Sequence, residues 1–371
     1  MAANPIVAIV SPQLRRDLHD PLRFFSRLTV HHFYHEALGD VGADDWHGRE
    51  HRYAGAYDLL RQLRELRPAL VQGCEPTWFP PSLPVCLATA QLAVAGVPLF
   101  FPVLENRPLA EKFGAVGGKL MAGYLRWYAA RAQLVYAVNA GAAQLLRDAG
   151  VPAAKVRQRL YGTWGVDLRE FSPTCGQRSD YILFVGRLEE EKGIHYLLEA
   201  FARVRRELPH LRLLLAGDGP LRDVIARFRA RHALADAVVL LGMLPNREMP
   251  GLFQNALATC VPSITMRGWA EQVGMANLQS MACGTPVVAT RSGAIAEMVG
   301  DAGLLVPERD SSALAEALLQ VLTEKEVAAD LSRRGRARAE ERFDARANIT
   351  GIENEIIGLC ADVHNPCATK V

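Results

Sequence analysis

Short runs of apolar residues alternate along the chain with longer stretches in which apolar and charged residues recur at helical spacing. In the first half, the apolar runs lie at 5–10, 69–73, 97–103 and 133–138. Unbroken apolar runs of this length, ended by turn residues, are typical of strands buried in a parallel sheet. The stretches 54–66 and 117–132 predict helices, and Asn139 is placed to cap a third. Strands and helices in alternation predict a doubly wound α/β sheet.

The same alternation starts again in the second half. Strands are predicted at 181–186, 211–217, 237–242, 256–263, 286–290 and 303–307, and helices at 313–322, 324–342 and 345–360. Between the halves, 172–180 is rich in glycine, proline and polar residues with little periodicity, which is typical of a linker. The sequence therefore predicts an N-terminal domain at 1–175, a C-terminal domain at 176–344, and a last segment, 345–371, whose helix can pack back on the first domain.

Composition agrees with two globular domains and limits the function classes. A chain of 371 residues exceeds a comfortable single core. Its net charge of +2 argues against a general nucleic-acid binder. The seven cysteines are scattered and form no CxxC pair, which favours a reducing cytoplasm over a disulfide framework or a zinc site. With neither a signal-like N-terminus nor a long apolar window, we expect a cytoplasmic protein, either free or peripheral at the inner face of the membrane.

The stretch FVGRLEEEKGIHYLLEAF places two cations in one strand-to-helix loop. Gly186 and Arg187 end the strand, Lys192 follows five residues later, and Gly193 precedes a helix. Such a loop can bring both cations to one anionic group, with the helix N-terminus adding its dipole, and a diphosphate suits it. The alternative is that both cations only neutralise the acidic run 189–191 on a solvated loop.

The stretch LLLAGDGPLRDVI is a strand that ends at a glycine corner, Gly217. Such a corner lets the backbone approach a ligand closely, but it is equally consistent with a tight turn that places Pro220 at the start of a helix. It does not match GxGxxG, the dinucleotide fingerprint, which argues against a nicotinamide dehydrogenase.

The stretch EQVGMANLQSMACGTPVV follows the predicted strand at 256–263 and a polar loop. Glu271 lies in that loop, Gly274 begins a helix, and Gln279 lies more than a turn into it. Glu271 can accept hydrogen bonds from sugar hydroxyls, N–H groups around Gly274 can meet an anion, and the Gln279 amide can donate and accept. Alternatively, Gln279 is only a polar residue on a half-buried helix.

These motifs together resemble those of the retaining, nucleotide-sugar-dependent glycosyltransferases of family 4, whose GT-B fold has two Rossmann-like domains facing across a cleft. GVDLREFSP and LLGMLPNREMPGLFQNA also occur in the family's order, so the likeness covers most of 161–343. Over the first 160 residues it rests on sheet pattern alone. The resemblance implies transfer of a sugar from a nucleoside-diphosphate sugar to a hydroxyl of a glycan, lipid-linked or small-molecule acceptor, with no cofactor and no metal.

The resemblance also implies roles for individual residues. It assigns Arg187 and Lys192 to the donor pyrophosphate, and it places Glu271 on the transferred sugar. The remaining donor-binding positions that it implies are Gly186, Gly217, Met243, Leu244, Val273, Gly274, Met275 and Gln279. Met243 and Leu244 would face the base.

Three departures from the family weaken this assignment. Gln279 stands where the family has a glutamate that takes both ribose hydroxyls, and a neutral acceptor makes weaker bonds. The usual glycine pair after the first strand is replaced by VSPQLRRDLHDPLRFF. Glu105 stands near the place of a family histidine, where it can accept a hydrogen bond, stabilise positive charge on the sugar, or form an ion pair with Arg107. The alternative function is therefore a non-catalytic nucleotide-sugar-binding partner subunit with a degenerate site.

Two further segments carry candidate chemistry. TVHHFYHEAL predicts a helix with His31 and His35 on one face, and the lack of matched acidic or cysteine partners favours surface or acceptor-site histidines, His32 included, over a metal site. The segment 112–131 mixes basic and aromatic residues. It can contact an acceptor or a membrane surface, or pack its aromatic face into the core. The nucleotide base, the sugar, the acceptor and the oligomeric state are not specified.

Overall fold

A computed structural model describes residues 4–37, 48–160 and 165–364. The chain divides into two compact units, Met1–Gly165 together with Ala345–Val371, and Val166–Asp344. This division lies before the predicted boundary at 175/176, because the intervening residues already pack on the second unit. Phe171 is buried edge-on against Phe253, with ring centroids 6.1 Å apart, and the Ser172 carbonyl accepts a hydrogen bond of 2.9 Å from Gln254.

The first unit contains a sheet of seven parallel strands, in the order β3-β2-β1-β4-β5-β6-β7. The strands are β1 (Ile6–Leu14), β2 (Thr29–Ala37), β3 (Glu50–Arg52), β4 (Leu70–Gln72), β5 (Leu99–Val103), β6 (Leu134–Ala137) and β7 (Val156–Gln158). Four of them, β1, β4, β5 and β6, confirm predicted apolar runs. The other three lie toward the sheet edges, where partly exposed strands lack a continuous apolar run.

Helices cover this sheet. They are α1 (Arg16–His19), α2 (Ala56–Leu66), α3 (Leu83–Val94), α4 (Leu109–Arg131) and α5 (Ala140–Asp148), with 3-10 turns at Asp20–Phe24 and Ala153–Lys155. Asn139 caps α5 as predicted, since its side chain accepts a 2.8 Å hydrogen bond from the backbone N–H of Ala142. At the C-terminus of α4, the Lys155 ammonium donates hydrogen bonds to three backbone carbonyls of 129–132. These bonds satisfy carbonyl groups that the end of a helix leaves without an acceptor role inside the helix.

The last helix, α13 (Ala345–His364), belongs to the first unit. Its Glu353 carboxylate is 1% exposed and accepts hydrogen bonds from the backbone N–H groups of Ser26 (2.9 Å) and Arg27 (2.7 Å) and from the Ser26 hydroxyl (3.1 Å). Two residues on, Glu355 accepts from the Tyr136 hydroxyl at 2.7 Å. One helix therefore ties the turn before β2 to β6.

The second unit contains six parallel strands in the order β10-β9-β8-β11-β12-β13. They are β8 (Ser179–Val185), β9 (Arg212–Ala216), β10 (Val238–Gly242), β11 (Ala256–Val261), β12 (Val287–Thr290) and β13 (Leu304–Val306). The helices are α6 (Ile194–Glu207), α7 (Arg222–Arg231), α8 (Met249–Asn255), α9 (Met275–Ala282), α10 (Ile295–Val299), α11 (Ser311–Thr323) and α12 (Lys325–Arg342). All six predicted strands of this half are confirmed.

The strand order of the second unit reverses at one point. From β8, the next strands along the chain extend to one side of the sheet, whereas β11, β12 and β13 extend to the other. The loops that leave β8 and β11 therefore start from neighbouring carboxyl ends. In open α/β sheets, this reversal is where ligands bind.

The three histidines of TVHHFYHEA lie in β2, so the predicted helix is wrong. Threonine, valine, phenylalanine and tyrosine around them favour a strand. His32 is 2% exposed and lies in a buried chain of contacts: its Nε2 is 2.9 Å from the Ser11 hydroxyl, and its Nδ1 is 3.1 Å from Nδ1 of His19. The described ranges contain no group of three or more His, Cys, Asp or Glu residues arranged to hold a metal ion.

Acid is expected to destabilise the fold through His32. Burial, and next the charge of His19, lowers the pKa of His32 to about 3, against about 6.5 in an unfolded chain. Between these values the unfolded chain binds more protons, so the free energy of unfolding falls as the pH drops, by about 1.4 kcal/mol per pH unit from this group. Urea unfolding of the native protein and of His32→Gln at pH 5 to 7 measures the difference in slope. Equal slopes would contradict the assignment, and exposed His210 provides the matched control, His210→Gln.

Candidate functional site

Two loops of the second unit meet where the strand order reverses. One follows β8 (186–193) and the other follows β11 (262–274). The backbone N–H of Ile264 donates to the Glu191 carbonyl at 2.8 Å. Gly193 is left-handed, with φ 67°, and a Cβ placed on it would lie 1.9 Å from the Pro262 carbonyl oxygen. Only glycine allows this approach, so the two loops form one continuous surface.

Lys192 and Glu271 form an ion pair across these loops. The Lys192 Nζ lies 2.8 Å from Oε2 of Glu271, and the Ser263 hydroxyl donates to the same oxygen at 2.9 Å. The ammonium also lies 4.8 Å from the centre of the Trp269 ring. The side chains of the pair are 17% and 13% exposed. The structure thus joins two predicted site residues that are far apart in sequence.

Arg187 is held differently. Its guanidinium is 60% exposed and lies 2.7 Å from Glu189 and 3.4 Å from Glu191. Burial raises the pKa of the Glu189 carboxyl, and a hydrogen bond shared with Glu191 raises it further. The alternative in which the acidic run neutralises the cations therefore describes Arg187 but not Lys192, whose partner lies in the other loop. Exposed ion pairs of this kind are weak, so an anionic ligand can displace them.

The predicted glycine corners bring the ends of β8, β9 and β10 together. Gly186 N–H donates to the Ala216 carbonyl at 3.0 Å, and Gly217 N–H donates to the Gly242 carbonyl at 2.8 Å. A Cβ on Gly217 would lie 1.9 Å from the Gly186 carbonyl oxygen. Beyond Gly242, Met243 exposes 69% of its surface, whereas the neighbouring Leu244 is half-buried.

Helix α9 starts where the sequence predicts. Gly274, with φ 72°, is its N-cap, and Met275 is its first residue. The first turn of a helix leaves backbone N–H groups open to an anion. The Val273 side chain is buried, so only the backbone of this residue can contact a ligand. Gln279 is half-buried in the middle of α9, and its side-chain amide makes no hydrogen bond to another described residue.

Glu105 lies in the first unit and is 3% exposed. Its Oε1 accepts a 3.0 Å hydrogen bond from the backbone N–H of Arg107, and its Oε2 forms an ion pair with Lys112. The Arg107 guanidinium pairs instead with Glu111. The expected Glu105–Arg107 ion pair is therefore wrong. Lys112, in the first turn of α4, reaches back to Glu105. Arg107, two residues before α4, pairs with Glu111 four residues later.

Sequence analysis missed Glu75, which lies beside Glu105. Its Oε1 accepts hydrogen bonds from the Glu105 backbone N–H (2.7 Å) and the Thr77 hydroxyl (2.6 Å). A signal was present, because Glu75 follows the end of β4 by three residues, much as Glu105 follows the end of β5 by two. Polar residues just after parallel strands line the ligand edge of an α/β sheet.

Two α/β units, each built on a wholly parallel sheet, together with structural neighbours of the same architecture, define a GT-B protein, which confirms the predicted fold class. Residues 170–338 match the family model described as glycosyl transferases group 1. The resemblance predicted from the motifs is therefore confirmed over these residues, which lie in the second unit.

Individual proteins are similar to this chain in sequence and in fold. Glycogen synthase of Mycobacterium tuberculosis (strain CDC 1551 / Oshkosh) is 34% identical over 165 residues, which are 44% of this chain and 39% of that protein. Sucrose-phosphate synthase (tll1590) from Thermosynechococcus elongatus has a TM-score of 0.76 at 19% identity, over 96% of this chain and 100% of that one. Anabaena Alr3699/HepE, solved in complex with UDP-glucose, has a TM-score of 0.74 at 17% identity, with the same coverage. The chain spans about two fifths of the length of the curated relatives it matches.

Proposed function

We propose that this protein is a retaining glycosyltransferase that moves a sugar from a nucleoside-diphosphate sugar to an acceptor hydroxyl. The observation that carries the proposal is the Lys192–Glu271 ion pair at the reversal of the second sheet, beside the open N-terminus of α9. A cation, a carboxylate and free backbone N–H groups at one place suit the two ends of such a donor. The diphosphate needs positive charge, and the sugar hydroxyls need an acceptor.

In the proposed complex, Arg187 and Lys192 hold the diphosphate, while Glu271 and the backbone of 273–275 hold the sugar. Met243 and Leu244 face the base, and Gln279 binds the ribose. The complex of HepE with UDP-glucose supports a uridine nucleotide as the first donor to test. The charge of the diphosphate is met by two side-chain cations and a helix terminus, so we propose that no metal ion is needed.

The proposed chemistry is electrostatic. As the bond between the sugar C1 and the phosphate oxygen breaks, both electrons go to the departing diphosphate. Preorganised donors aimed at that growing charge are worth several kcal/mol. The acceptor oxygen then bonds to C1 on the face that the diphosphate leaves, and its proton passes to the departing phosphate oxygen beside it. The configuration at C1 is therefore retained without a protein nucleophile.

A panel of UDP-, GDP-, ADP- and dTDP-sugars tests the proposal. Release of the nucleoside diphosphate is measured with and without sugar, lipid-linked and small-molecule acceptors. We expect turnover with at least one donor. Donor binding without any turnover would instead support the non-catalytic partner subunit.

The variant Gln279→Glu is expected to tighten nucleotide binding. A carboxylate accepts stronger hydrogen bonds from the ribose hydroxyls than an amide does, by about 1 kcal/mol, which corresponds to about fivefold in Kd. Titration calorimetry with the nucleoside diphosphate measures the change. Gln320→Glu, at an exposed position of α11, is the matched control. Unchanged affinity in Gln279→Glu would show that the ribose is bound elsewhere.

We also propose that α4 contacts an anionic membrane surface. Its aromatic face is in the core, with Leu125 and Tyr128 fully buried, but Val116 and Leu120 are 74% and 71% exposed. These two lie one helical turn apart, next to exposed Lys119, and such a face suits peripheral binding. No helix in the described part of the chain has the length and apolarity to cross a bilayer.

Vesicle sedimentation tests this contact. Binding to phosphatidylglycerol vesicles is expected to exceed binding to phosphatidylcholine vesicles. Because two apolar side chains leave the interface, the double variant Val116→Gln, Leu120→Gln should lose about tenfold in affinity, about 1.4 kcal/mol. Equal binding of the native protein and the double variant would contradict the contact.

A further inference from the structure

Helix α9 carries a buried polar side chain whose amide makes no hydrogen bond. Asn277, in the first turn of α9, is 0% exposed. Among the described residues, it alone has both of its side-chain polar atoms, Oδ1 and Nδ2, buried without a hydrogen-bond partner. Ser280, equally buried on the same helix, lies 2.8 Å from the Thr259 hydroxyl and 3.0 Å from the Thr285 carbonyl oxygen. Because burying an unbonded amide costs free energy, native folds rarely keep one, and Asn277 calls for a functional explanation.

The Asn277 amide lies at the N-terminus of α9, next to the side chain of Glu271. A Cβ placed on Gly274 would lie 2.8 Å from Nδ2 of Asn277 and 3.5 Å from Cγ of Glu271, so the two side chains flank the same point. The Glu271 backbone is held in place, since its carbonyl accepts a 2.8 Å hydrogen bond from the N–H of Ala294. A rotation of the Glu271 side chain alone can therefore bring its carboxylate toward the amide.

The proposed donor would change the partners of Glu271. In the structure, its carboxylate pairs with Lys192 and accepts a hydrogen bond from the Ser263 hydroxyl. When Lys192 turns to the diphosphate, Glu271 loses this cation at a position where its side chain is only 13% exposed. A carboxylate with so little access to water gains much from a new hydrogen-bond donor. The Asn277 amide is neutral, so it can donate to Glu271 without competing for the charge of the diphosphate.

We propose that Asn277 is a positioning residue whose Nδ2 donates a hydrogen bond to the Glu271 carboxylate once the diphosphate draws Lys192 away. The proposal rests on the glycosyltransferase function proposed above, and it adds that donor binding exchanges one partner of Glu271 for another. Glu271 then keeps a fixed place, from which its remaining lone pairs accept the sugar hydroxyls. In the free protein the amide stays unbonded, which lowers the stability of the second unit, and donor binding removes this defect.

Asn277→Leu removes the amide while nearly keeping the size and shape of the side chain. We expect the Tm of the free protein to rise by about 2 to 4 °C, because an unbonded amide leaves the core. The Kd for the nucleotide sugar of the panel that the native protein binds most tightly, with UDP-glucose tested first, should rise about tenfold, since the complex loses one hydrogen bond to a charged group. Thermal unfolding and titration calorimetry measure the two changes. Asn255→Leu, at the exposed end of α8, is the matched control and should keep this Kd within about twofold.

The same substitution in a Lys192→Met background separates this exchange of partners from a purely structural role. Without Lys192, the Glu271 carboxylate should already accept from the Asn277 amide in the free protein. Asn277→Leu should then lower the Tm by about 2 to 4 °C instead of raising it. A shift of the same sign in both backgrounds would overturn the proposal, as would native donor affinity in Asn277→Leu. If the native protein binds no donor of the panel, the proposed function fails, whereas the sign of the Tm shift, which needs no donor, still decides whether Asn277 can replace Lys192 on Glu271.

Discussion

Replacing Lys192 with methionine is expected to lower the kcat of sugar transfer by about 10²- to 10³-fold, the loss typical of one preorganised donor in an active site. Methionine keeps much of the apolar stem over Trp269 but removes the charge. The Glu271 carboxylate, which now pairs with Lys192 at 2.8 Å, would then keep its negative charge without that cation and repel the diphosphate. The measurement is steady-state release of the nucleoside diphosphate.

The effect of Arg187→Ala should be smaller than that of Lys192→Met. Lys192 is 17% exposed, whereas Arg187 is 60% exposed, and a charge near solvent acts through a higher effective dielectric. Lys325→Met, at an exposed lysine of α12, removes the same charge away from the loops and should leave kcat unchanged. Native kcat in both Lys192→Met and Arg187→Ala would remove the proposed mechanism.

The second large effect concerns stability. Glu353→Ala is expected to lower the free energy of unfolding of the first unit by about 2 to 4 kcal/mol, because Glu353 is a buried carboxylate that accepts several hydrogen bonds, and bonds to a charged group are worth about 1.5 to 3 kcal/mol each. The backbone N–H groups of Ser26 and Arg27 lose their acceptor, and a cavity replaces the carboxylate. Urea unfolding and hydrogen exchange of the β1 and β2 amides measure the loss.

Two comparisons make that result specific. Thr350→Ala, at an exposed position of the same helix, should change stability by less than about 0.5 kcal/mol. Glu353→Gln should lie between the two, since an amide oxygen replaces only part of the acceptor capacity. If Glu353→Ala unfolds like the native protein, α13 does not hold the first unit together.

The sequence predicted the second unit well for a physical reason. Its four central strands are largely buried, all six strands read as unbroken apolar runs in the sequence, and glycines end several of them. The first unit was harder. Strand β2 is buried only over its middle three residues, and it carries three histidines, whose side chains favour neither helix nor strand strongly.

The residues of the site could be predicted from the sequence, but the contacts between them could not. The motifs located Lys192 and Glu271 individually, but 79 residues separate them, and no local pattern specifies their ion pair. Strand order decides it, because β8 and β11 become neighbours only in the folded sheet. Glu75 was missed for the same reason. Its contact is with Glu105, which lies 30 residues away along the chain and follows the neighbouring strand.

The path of the chain also sets an order of assembly on the ribosome. All residues of the second unit, 166–344, are synthesised before α13 emerges, whereas the first unit begins at the N-terminus and is completed only by that helix. Until then, the backbone N–H groups of Ser26 and Arg27 lack their acceptor on Glu353, and the Tyr136 hydroxyl lacks its acceptor on Glu355. A chain stopped between 345 and 353 would release a finished second unit attached to an unfinished first unit, a natural substrate for chaperones.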